Sequence, residues 1–240
     1  AASWWLCYAR DNLAAGDIVR LMREFPQREE HMFQMATGRF VRKTSRVLTP
    51  VDRLRVIGVA EDWHLDIYDR PENTTGDILI GVDTAENKGK DRSVVAVVDR
   101  ASRRLVACFS SANVMGDDLA SIVHAAWKHY SVERADPDTG VKKFLRPQVR
   151  IEDNTVGGIT IQPAKRIGFP FETFNTTQDS KHLGLLEAKR AVEAGILEGP
   201  KELAEECDEL HRNEATGSWV GHKDILMAYG FCAVKITESP

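Results

Sequence analysis

The chain has 240 residues, a formal net charge of −4, 42% hydrophobic residues and 28% charged residues. These values are typical of a globular protein with one large domain, or with one domain and a smaller companion. No apolar run approaches the roughly 20 residues that span a bilayer, so we expect no membrane segment. The negative charge argues against a protein that coats nucleic acid nonspecifically, but it is compatible with a nuclease whose carboxylates bind metal ions.

The first residues carry neither a basic leader nor a following apolar stretch, so no signal peptide is predicted. Because the chain starts within a helical pattern and without Met, we expect a fragment of a longer protein. The four cysteines are scattered and form no C-x-x-C pair, which argues against zinc and redox motifs. Reduced thiols in a cytosolic protein are the simplest interpretation.

The beginning of the chain is predicted to be helical. Apolar residues recur near helical spacing over residues 3–24, and Pro26 ends that helix. Residues 27–35 could form a second, short helix.

A connector is predicted to follow. Residues 44–71 mix short apolar runs with charges, which indicates one or two edge strands. The turn-rich segment 72–77 is the predicted domain boundary. It separates an N-terminal helical segment with its connector, at 1–71, from a domain at 72–240.

Three consecutive β-rich runs open this domain, at residues 78–83, 93–99 and 104–110. A short polar turn joins the last two, so a hairpin is predicted there. Residues 117–130 are then predicted to form a helix with an acidic cap and one apolar face.

The remaining segments alternate between strands and helices. In chain order they are a strand at 149–151, a short helix after the glycines at 157–158, a strand at 169–174, and helices at 180–195, at 202–210 and from 222 onward. Three antiparallel strands followed by this alternation predict an α/β fold, in which helices flank a mixed sheet on both faces.

Three acidic residues lie where predicted strands or helices end or begin. Asp83 ends a strand that is predicted to be buried, where a carboxylate is costly unless a cation or donors compensate it. Asp153 would lie beside it at the end of the next parallel strand, and Asp224 could point inward from a covering helix. Carboxylate oxygens are the ligands with which two divalent ions hydrolyse phosphodiesters. The three residues therefore indicate a metal site for phosphate chemistry.

Each of these acids also has an ordinary explanation. An Asp after a strand is usually a turn or cap residue, which applies to Asp83 and Asp153. Asp224 is an acid in the first turn of a helix, where it favours the helix dipole. The order of the three acids along the predicted sheet favours the metal site.

Several motifs follow one another along this domain. They are the β-rich runs at 81–85 and 90–95, an Asp followed by a Gly-containing turn at 151–158, a Lys-containing helix at 177–197, and a His and an Asp at the head of the last helix at 219–228. In this order they resemble the nuclease domain of the large terminase subunit of tailed bacteriophages, namely its first two strands, its second acidic motif, its Lys-containing helix and its final His-Asp-Asp motif.

An upstream motif resembles the end of that family's packaging ATPase. It consists of Glu24-Phe25-Pro26 and the acidic and apolar residues at 29–33. No G-x-x-x-x-G-K-[ST] motif occurs in the chain, so the P-loop of such a motor is missing. We therefore expect a fragment that holds the nuclease and only the tail of an ATPase.

The resemblance implies an RNase H-like fold and metal-dependent cleavage of concatemeric double-stranded viral DNA during genome packaging. It implies that Asp83, Asp153 and Asp224 are the catalytic metal ligands, for Mg²⁺ or Mn²⁺ and with two ions expected. The implied partners are double-stranded DNA, the small terminase subunit and the capsid portal. The implied location is the host cytoplasm, transiently at the viral procapsid.

One position departs from the family's pattern. The family often has two adjacent Asp residues after the His, and here Lys223 occupies the first of them. If that first Asp is the ligand, one metal site is weakened. Asp224 is the preferred ligand.

Basic residues could follow the DNA backbone. The predicted DNA contacts are Lys181, Lys189 and Arg190, on the helix that resembles the family's Lys-containing helix. Phosphate contacts of this kind give affinity without sequence specificity. The ordinary alternative is a solvated helix face, and Lys181 is the favoured exception because it matches the start of the family's helix.

Other functions stay open at this point. One is another RNase H-like nuclease, such as a resolvase or an exonuclease. Another is a catalytically weak scaffold, which is compatible with Lys223 at a position where the family often has an Asp. A third is an actin-like or sugar-kinase-like nucleotide binder, which also begins with a strand, an Asp and a polar turn. Those folds require a glycine where this chain has Thr84-Ala85, and they have a second lobe for which this chain is too short.

Overall fold

The computed structural model describes residues 40–41, 44–57, 59, 61–85, 91–135, 139–153, 157–175, 177–212 and 219–238. The helices predicted at 3–24 and 27–35 lie outside the described residues.

The described strands are β1 (Asp52–Arg55), β2 (His64–Ile67), β3 (Ile78–Asp83), β4 (Ser93–Asp99), β5 (Arg104–Ser111), β6 (Val132–Ala135), β7 (Lys142–Leu145), β8 (Gln148–Glu152), β9 (Glu172–Phe174), β10 (His211–Arg212) and β11 (Trp219–Val220). The described α-helices are α1 (Gly116–His129), α2 (Gly157–Ile167), α3 (Gln178–Glu193), α4 (Lys201–Glu209) and α5 (Asp224–Glu238). Within the described residues, no helix combines the length and the apolar character that crossing a membrane requires.

Seven strands form one sheet, in the order β1-β2-β5-β4-β3-β8-β9. In this spatial order, the first five strands, from β1 through β2, β5 and β4 to β3, pair antiparallel with their neighbours. The remaining pairs, β3 with β8 and β8 with β9, are parallel. The other four described strands form two hairpins, β6–β7 and β10–β11. This is the mixed sheet predicted from the sequence, and β3 lies where its antiparallel part meets its parallel part.

Helices cover both faces of the sheet. β4 is buried along its whole length, and β3 is buried up to Asp83, which explains why both strands are continuous apolar runs without alternation. On one face, Val95 belongs to a core cluster with Ile122 of α1. On the other face, Val94 belongs to a cluster with Tyr229 of α5. The described residues therefore form two cores, with α1 and α2 on one side of the sheet and α3, α4 and α5 on the other.

Most predicted elements start and end close to their predicted positions, and the edge strands expected at 44–71 are present as β1 and β2. β2 pairs with β5, so these two strands extend the same sheet as the strands after residue 77. The boundary at 72–77 stays a prediction. The β6–β7 hairpin was not predicted, because its strands are short and mostly exposed, half of their residues are charged, and they lack an apolar face.

Candidate active site

The parallel pairing of β3 with β8 brings two acidic residues side by side. Val82 pairs with Ile151, so the next residues along the two strands, Asp83 and Glu152, are neighbours at one edge of the sheet. Paired strands are about 4.8 Å apart, which allows side chains on the same face to touch. Glu152 is only 2% exposed, and its carboxyl group forms a hydrogen bond with that of Asp83.

Both carboxyl groups point to the face of the sheet that α5 covers. Residues two apart on a strand point to the same face of the sheet. Asp83 therefore lies on the same face as Gly81, and Glu152 lies on the same face as Arg150. Arg150 Nη1 donates to the carbonyl oxygen of Phe231 in α5 at 2.9 Å. A side chain added to Gly81 would likewise meet the α5 backbone. The acid pair therefore faces the layer of α3, α4 and α5.

The surroundings of Asp83 strongly perturb its carboxyl group. Burial raises the pKa of Asp83 well above its usual value, and the nearby Glu152 and Asp224 raise this pKa further. The positive charge of Lys181 opposes this rise in the pKa of Asp83. Acidic groups this close disfavour the charged form of Asp83. A cation at this position would compensate that repulsion.

Asp224 brings a third carboxyl group to this edge, as the first residue of α5. Its Oδ2 accepts a hydrogen bond at 2.8 Å from the backbone N–H of Arg92, which precedes β4. Burial raises the pKa of Asp224, and the Arg92 N–H opposes that shift. The charge of Asp224 also acts on Asp83. The acids of β3, β8 and α5 therefore form one electrostatic cluster, which we call the acid cluster: Asp83, Glu152 and Asp224.

A close crossing of α5 over β3 sets the position of Asp224 relative to Asp83. A Cβ on Gly81 would lie 2.2 Å from the carbonyl oxygen of Ala228 and 2.9 Å from Cys232 Sγ. Only glycine leaves room for the helix at this distance. Ala228 follows Asp224 by about one helical turn. The contact therefore fixes how near the start of α5 comes to the end of β3.

A second glycine contact positions Lys181 on α3. The two helices α3 and α5 cross where a Cβ on Gly230 would lie 2.7 Å from the carbonyl oxygen of Gly184. Lys181 precedes Gly184 by about one turn, and its Nζ is 4.0 Å from Glu152 Oε1. The structure therefore places this ammonium group at the border of the acid cluster. Its contact with DNA stays a prediction.

The predicted ligand Asp153 follows β8 directly. Its side chain is exposed, and its backbone N–H donates to the carbonyl oxygen of Phe174 at 2.8 Å, which extends the pairing of β8 with β9. Its neighbour Glu152, which was not selected from the sequence, lies against Asp83 instead. The register between β3 and β8 decides which of the two acids meets Asp83, and the sequence pattern alone does not define this register. The role of Asp153 as a metal ligand stays a prediction.

The other two predicted DNA contacts lie farther along α3. Lys189 Nζ is 4.0 Å from Glu193 Oε1 and 5.9 Å from the centroid of the Phe40 ring. Arg190 is exposed and pairs with Glu187. Both cations thus have an acidic neighbour on their own helix, and their contact with DNA also stays a prediction.

The acid cluster has the donor chemistry of a site for a hard divalent cation. Three carboxyl groups supply only oxygen ligands, which suit Mg²⁺ and Mn²⁺ better than softer metals. Among the described residues, no three acidic, His or Cys side chains are already arranged around a common metal position. The donor set therefore fits a metal ion, which would compensate the charges of these neighbouring carboxyl groups.

Several solved structures with a similar fold are large terminase nucleases of phages. The large terminase nuclease of the thermophilic phage G20c with bound cobalt is 17% identical with a TM-score of 0.56, over 80% of this chain and 93% of that chain. Its structure with bound magnesium gives the same values. The large terminase nuclease domain of the Thermus phage P74-26 is 18% identical with a TM-score of 0.52, over 78% of this chain and 89% of that chain.

No protein-family model and no curated protein matches the chain. At such low identity the structural likeness establishes the fold. The chain has the predicted RNase H-like fold, a mixed sheet flanked by helices.

Proposed function

We propose that the chain is the nuclease part of a phage large terminase subunit, a metal-dependent endonuclease that cuts concatemeric double-stranded viral DNA during genome packaging. The observation that carries this proposal is the convergence of Asp83, Glu152 and Asp224 at one edge of the sheet. The similar structures are named as large terminase nucleases, and two of them hold cobalt or magnesium, which supports the same activity here.

The acid cluster is the proposed metal site. Asp83, Glu152 and Asp224 would hold Mg²⁺ or Mn²⁺, with two ions expected for phosphodiester hydrolysis. When bound, such ions activate the attacking water and stabilise the leaving oxygen. Asp83 would hold the metal together with the other two acids, because it ends β3 next to Glu152 and within the electrostatic reach of Asp224.

Glu152 is proposed as the second ligand in place of Asp153. Glu152 ends a strand whose alternation directs its side chain to the face of Asp83 and α5. The side chain of Asp153 is exposed, and its backbone continues the pairing with β9. A ligand on a regular strand is also held more rigidly than one on the segment that follows it.

Neighbouring groups would hold the acid cluster and meet the substrate. The Arg92 N–H orients one oxygen of Asp224. Lys181 lies beside Glu152, where its charge could bind a phosphate oxygen of DNA in the site. Lys189 and Arg190 are proposed to contact the DNA backbone farther along α3.

The wider assembly follows from the same proposal. The substrate would be double-stranded DNA, and the partners would be the small terminase subunit and the capsid portal. The protein would act in the host cytoplasm and transiently at the procapsid. The upstream residues Glu24-Phe25-Pro26, which resemble the end of the packaging ATPase, support this placement.

A plasmid cleavage assay tests the proposal. The purified chain is incubated with supercoiled plasmid in Mg²⁺, in Mn²⁺ and in EDTA. We expect nicked and linear DNA with either metal, little sequence preference among the ends, and no cleavage in EDTA. Asp83→Asn is expected to abolish cleavage, because it removes a carboxylate of the proposed metal site.

Asp77→Asn is the matched control. Asp77 precedes the opposite end of β3, is half-exposed and lies 3.7 Å from Arg100, so its loss should leave cleavage unchanged. Cleavage that persists in EDTA, or in a folded Asp83→Asn protein, would contradict the proposed metal site. A folded wild-type chain that cleaves with neither metal would support the catalytically weak scaffold instead.

A further inference from the structure

A buried acid outside the acid cluster caps the helix that carries Asp224. Glu206 lies on α4 and is only 4% exposed. It occupies the apolar side of this helix together with Leu203 and Cys207. A carboxylate at such a position costs free energy unless donors satisfy it, so its partners are informative.

The partners of Glu206 are backbone N–H groups of α5. The N–H of Ile225 lies 3.0 Å and 3.1 Å from its two carboxylate oxygens. The N–H of Leu226 donates to one of them at 3.0 Å. Burial raises the pKa of Glu206 to about 7, although both backbone donors favour the ionised form. The carboxylate thus satisfies two helix donors that would otherwise be buried without an acceptor.

These are the donors that the cap residue of α5 would normally satisfy. The carbonyl oxygen of Lys223 accepts the first hydrogen bond of the helix, from Met227 N at 2.8 Å, which makes Lys223 the cap residue. A Lys side chain has no acceptor, so it cannot bind the free N–H groups. Glu206 supplies this cap from another helix.

The cap from α4 has a consequence for Asp224. Asp at the start of a helix often uses its carboxylate to bind free N–H groups of the first turn. Here Glu206 already occupies those of Ile225 and Leu226, and Asp224 instead accepts from the N–H of Arg92 outside the helix. The side chain of Asp224 is therefore held toward the acid cluster.

We propose that Glu206 is a positioning residue, which locks the first turn of α5 so that Asp224 faces Asp83 and Glu152 as a metal ligand. This inference rests on the proposed function, because it assumes that the acid cluster binds metal. Groups that hold a metal ligand in place typically change metal affinity or activity by about 10–100-fold when they are removed. A cap that serves stability alone would change the melting temperature and leave metal affinity as it is.

Metal binding by the full 240-residue chain separates the two roles. Mn²⁺ affinity is measured by calorimetry without DNA, and the Mn²⁺ dependence of plasmid cleavage is measured in parallel. We expect Glu206→Ala to weaken Mn²⁺ binding by about 10–100-fold and to raise the Mn²⁺ needed for half-maximal cleavage. Glu206→Gln keeps one acceptor oxygen and is expected to lie between Glu206→Ala and the wild type.

Glu205→Ala is the matched control. Glu205 is the adjacent acid on α4, half-exposed and 2.8 Å from Lys201, so its loss should leave Mn²⁺ affinity unchanged. Wild-type Mn²⁺ affinity in a folded Glu206→Ala protein would overturn the inference. If Glu206→Ala does not fold, Glu206→Gln decides in its place: weaker Mn²⁺ binding supports the inference, and wild-type affinity overturns it. A wild-type chain that binds no Mn²⁺ would overturn the proposed function first, and this inference with it.

Discussion

Asp83 and Glu152 end two parallel strands in neighbouring positions, and their carboxyl groups share a hydrogen bond on the face that α5 covers. Two buried acids this close destabilise each other in their charged forms, and such an arrangement is common where a cation binds. At the acid cluster the protein therefore gives up some stability, which the proposed metal ion would restore.

The first prediction concerns this electrostatic cost. At pH 8 in EDTA, we expect Asp83→Asn to raise the melting temperature, because it removes a carboxylate from a buried group of acids. A gain of about 1 kcal/mol would correspond to roughly 2–4 °C for a domain of this size. Mg²⁺ should stabilise the wild type and not the variant, since only the native state of the wild type would bind it. Differential scanning calorimetry with and without Mg²⁺ measures both effects.

Asp77→Asn again serves as the control. Because Asp77 pairs with Arg100 at the other end of β3, its loss should not raise the melting temperature. An Asp83→Asn protein that melts below the wild type in EDTA would show that Asp83 is not electrostatically strained.

The second prediction compares two adjacent acids. Glu152→Gln should lower the cleavage rate by at least about 100-fold, as expected for the loss of a metal ligand, whereas Asp153→Asn should stay within a few-fold of the wild type. Both variants remove one charge and keep the size of the side chain. Cleavage rates at saturating Mn²⁺ and Mn²⁺ binding are measured for both. The reverse ranking would identify Asp153 as the ligand, as first expected from the sequence.

Asp83 and Asp224 could be selected from the sequence as site residues, whereas Glu152 could not. The apolar runs of β3, β4 and β5 and the amphipathic α1 could be predicted because burial and periodicity are local properties of the sequence. Asp83 and Asp224 could be selected because they lie at the ends of such elements. Glu152 was not selected, because its role depends on the register between β3 and β8, which a strand pattern alone does not define.

Glu206 was harder to predict for a related reason. It binds N–H groups of a helix that begins well after it in the chain, and no local motif links the two. The one sequence signal is an acid on the apolar side of α4, between Leu203 and Leu210. Buried acids at core positions almost always have partners, so this position indicates a partner without identifying it.

The third prediction tests the close crossing of α5 over β3. Gly81→Ala would place a methyl group 2.2 Å from the carbonyl oxygen of Ala228, so the helix must shift away. We expect a loss of about 1–3 kcal/mol in the free energy of unfolding, which is typical of overpacking. Mn²⁺ binding should also weaken, because the start of α5 carries Asp224. Urea unfolding and calorimetry measure the two effects.

Gly158→Ala is the control for this glycine. Nothing lies within 4 Å of a Cβ at Gly158, and alanine favours the helix in which it lies, so stability should be unchanged or slightly higher. If Gly81→Ala is as stable as the wild type and binds Mn²⁺ equally well, the crossing does not set the geometry of the acid cluster.

The last prediction concerns Lys223, the cap residue of α5. Burial raises the pKa of Asp224, and the cation of Lys223 partly opposes that shift. This cation would compete with a metal ion for the Asp224 carboxylate. Lys223→Asp removes this competition and adds an oxygen ligand, so we expect the Mg²⁺ concentration for half-maximal cleavage to fall. Lys223→Gln removes the charge without adding a ligand and is expected to show a smaller fall. If Lys223 instead binds a DNA phosphate, both variants would need a higher DNA concentration for half-maximal cleavage. The Mg²⁺ concentration for half-maximal cleavage would then be unchanged or higher.

The cap by Glu206 makes this prediction more specific. An Asp at position 223 would normally bind the N–H groups of Ile225 and Leu226, but Glu206 already occupies them. The new carboxylate is therefore expected to serve the metal in the wild-type background. In a Glu206→Ala background the same N–H groups lack their acceptor, so Lys223→Asp should cap the helix and recover melting temperature lost with Glu206. A double variant that melts no higher than Glu206→Ala alone would show that these N–H groups do not depend on a carboxylate cap.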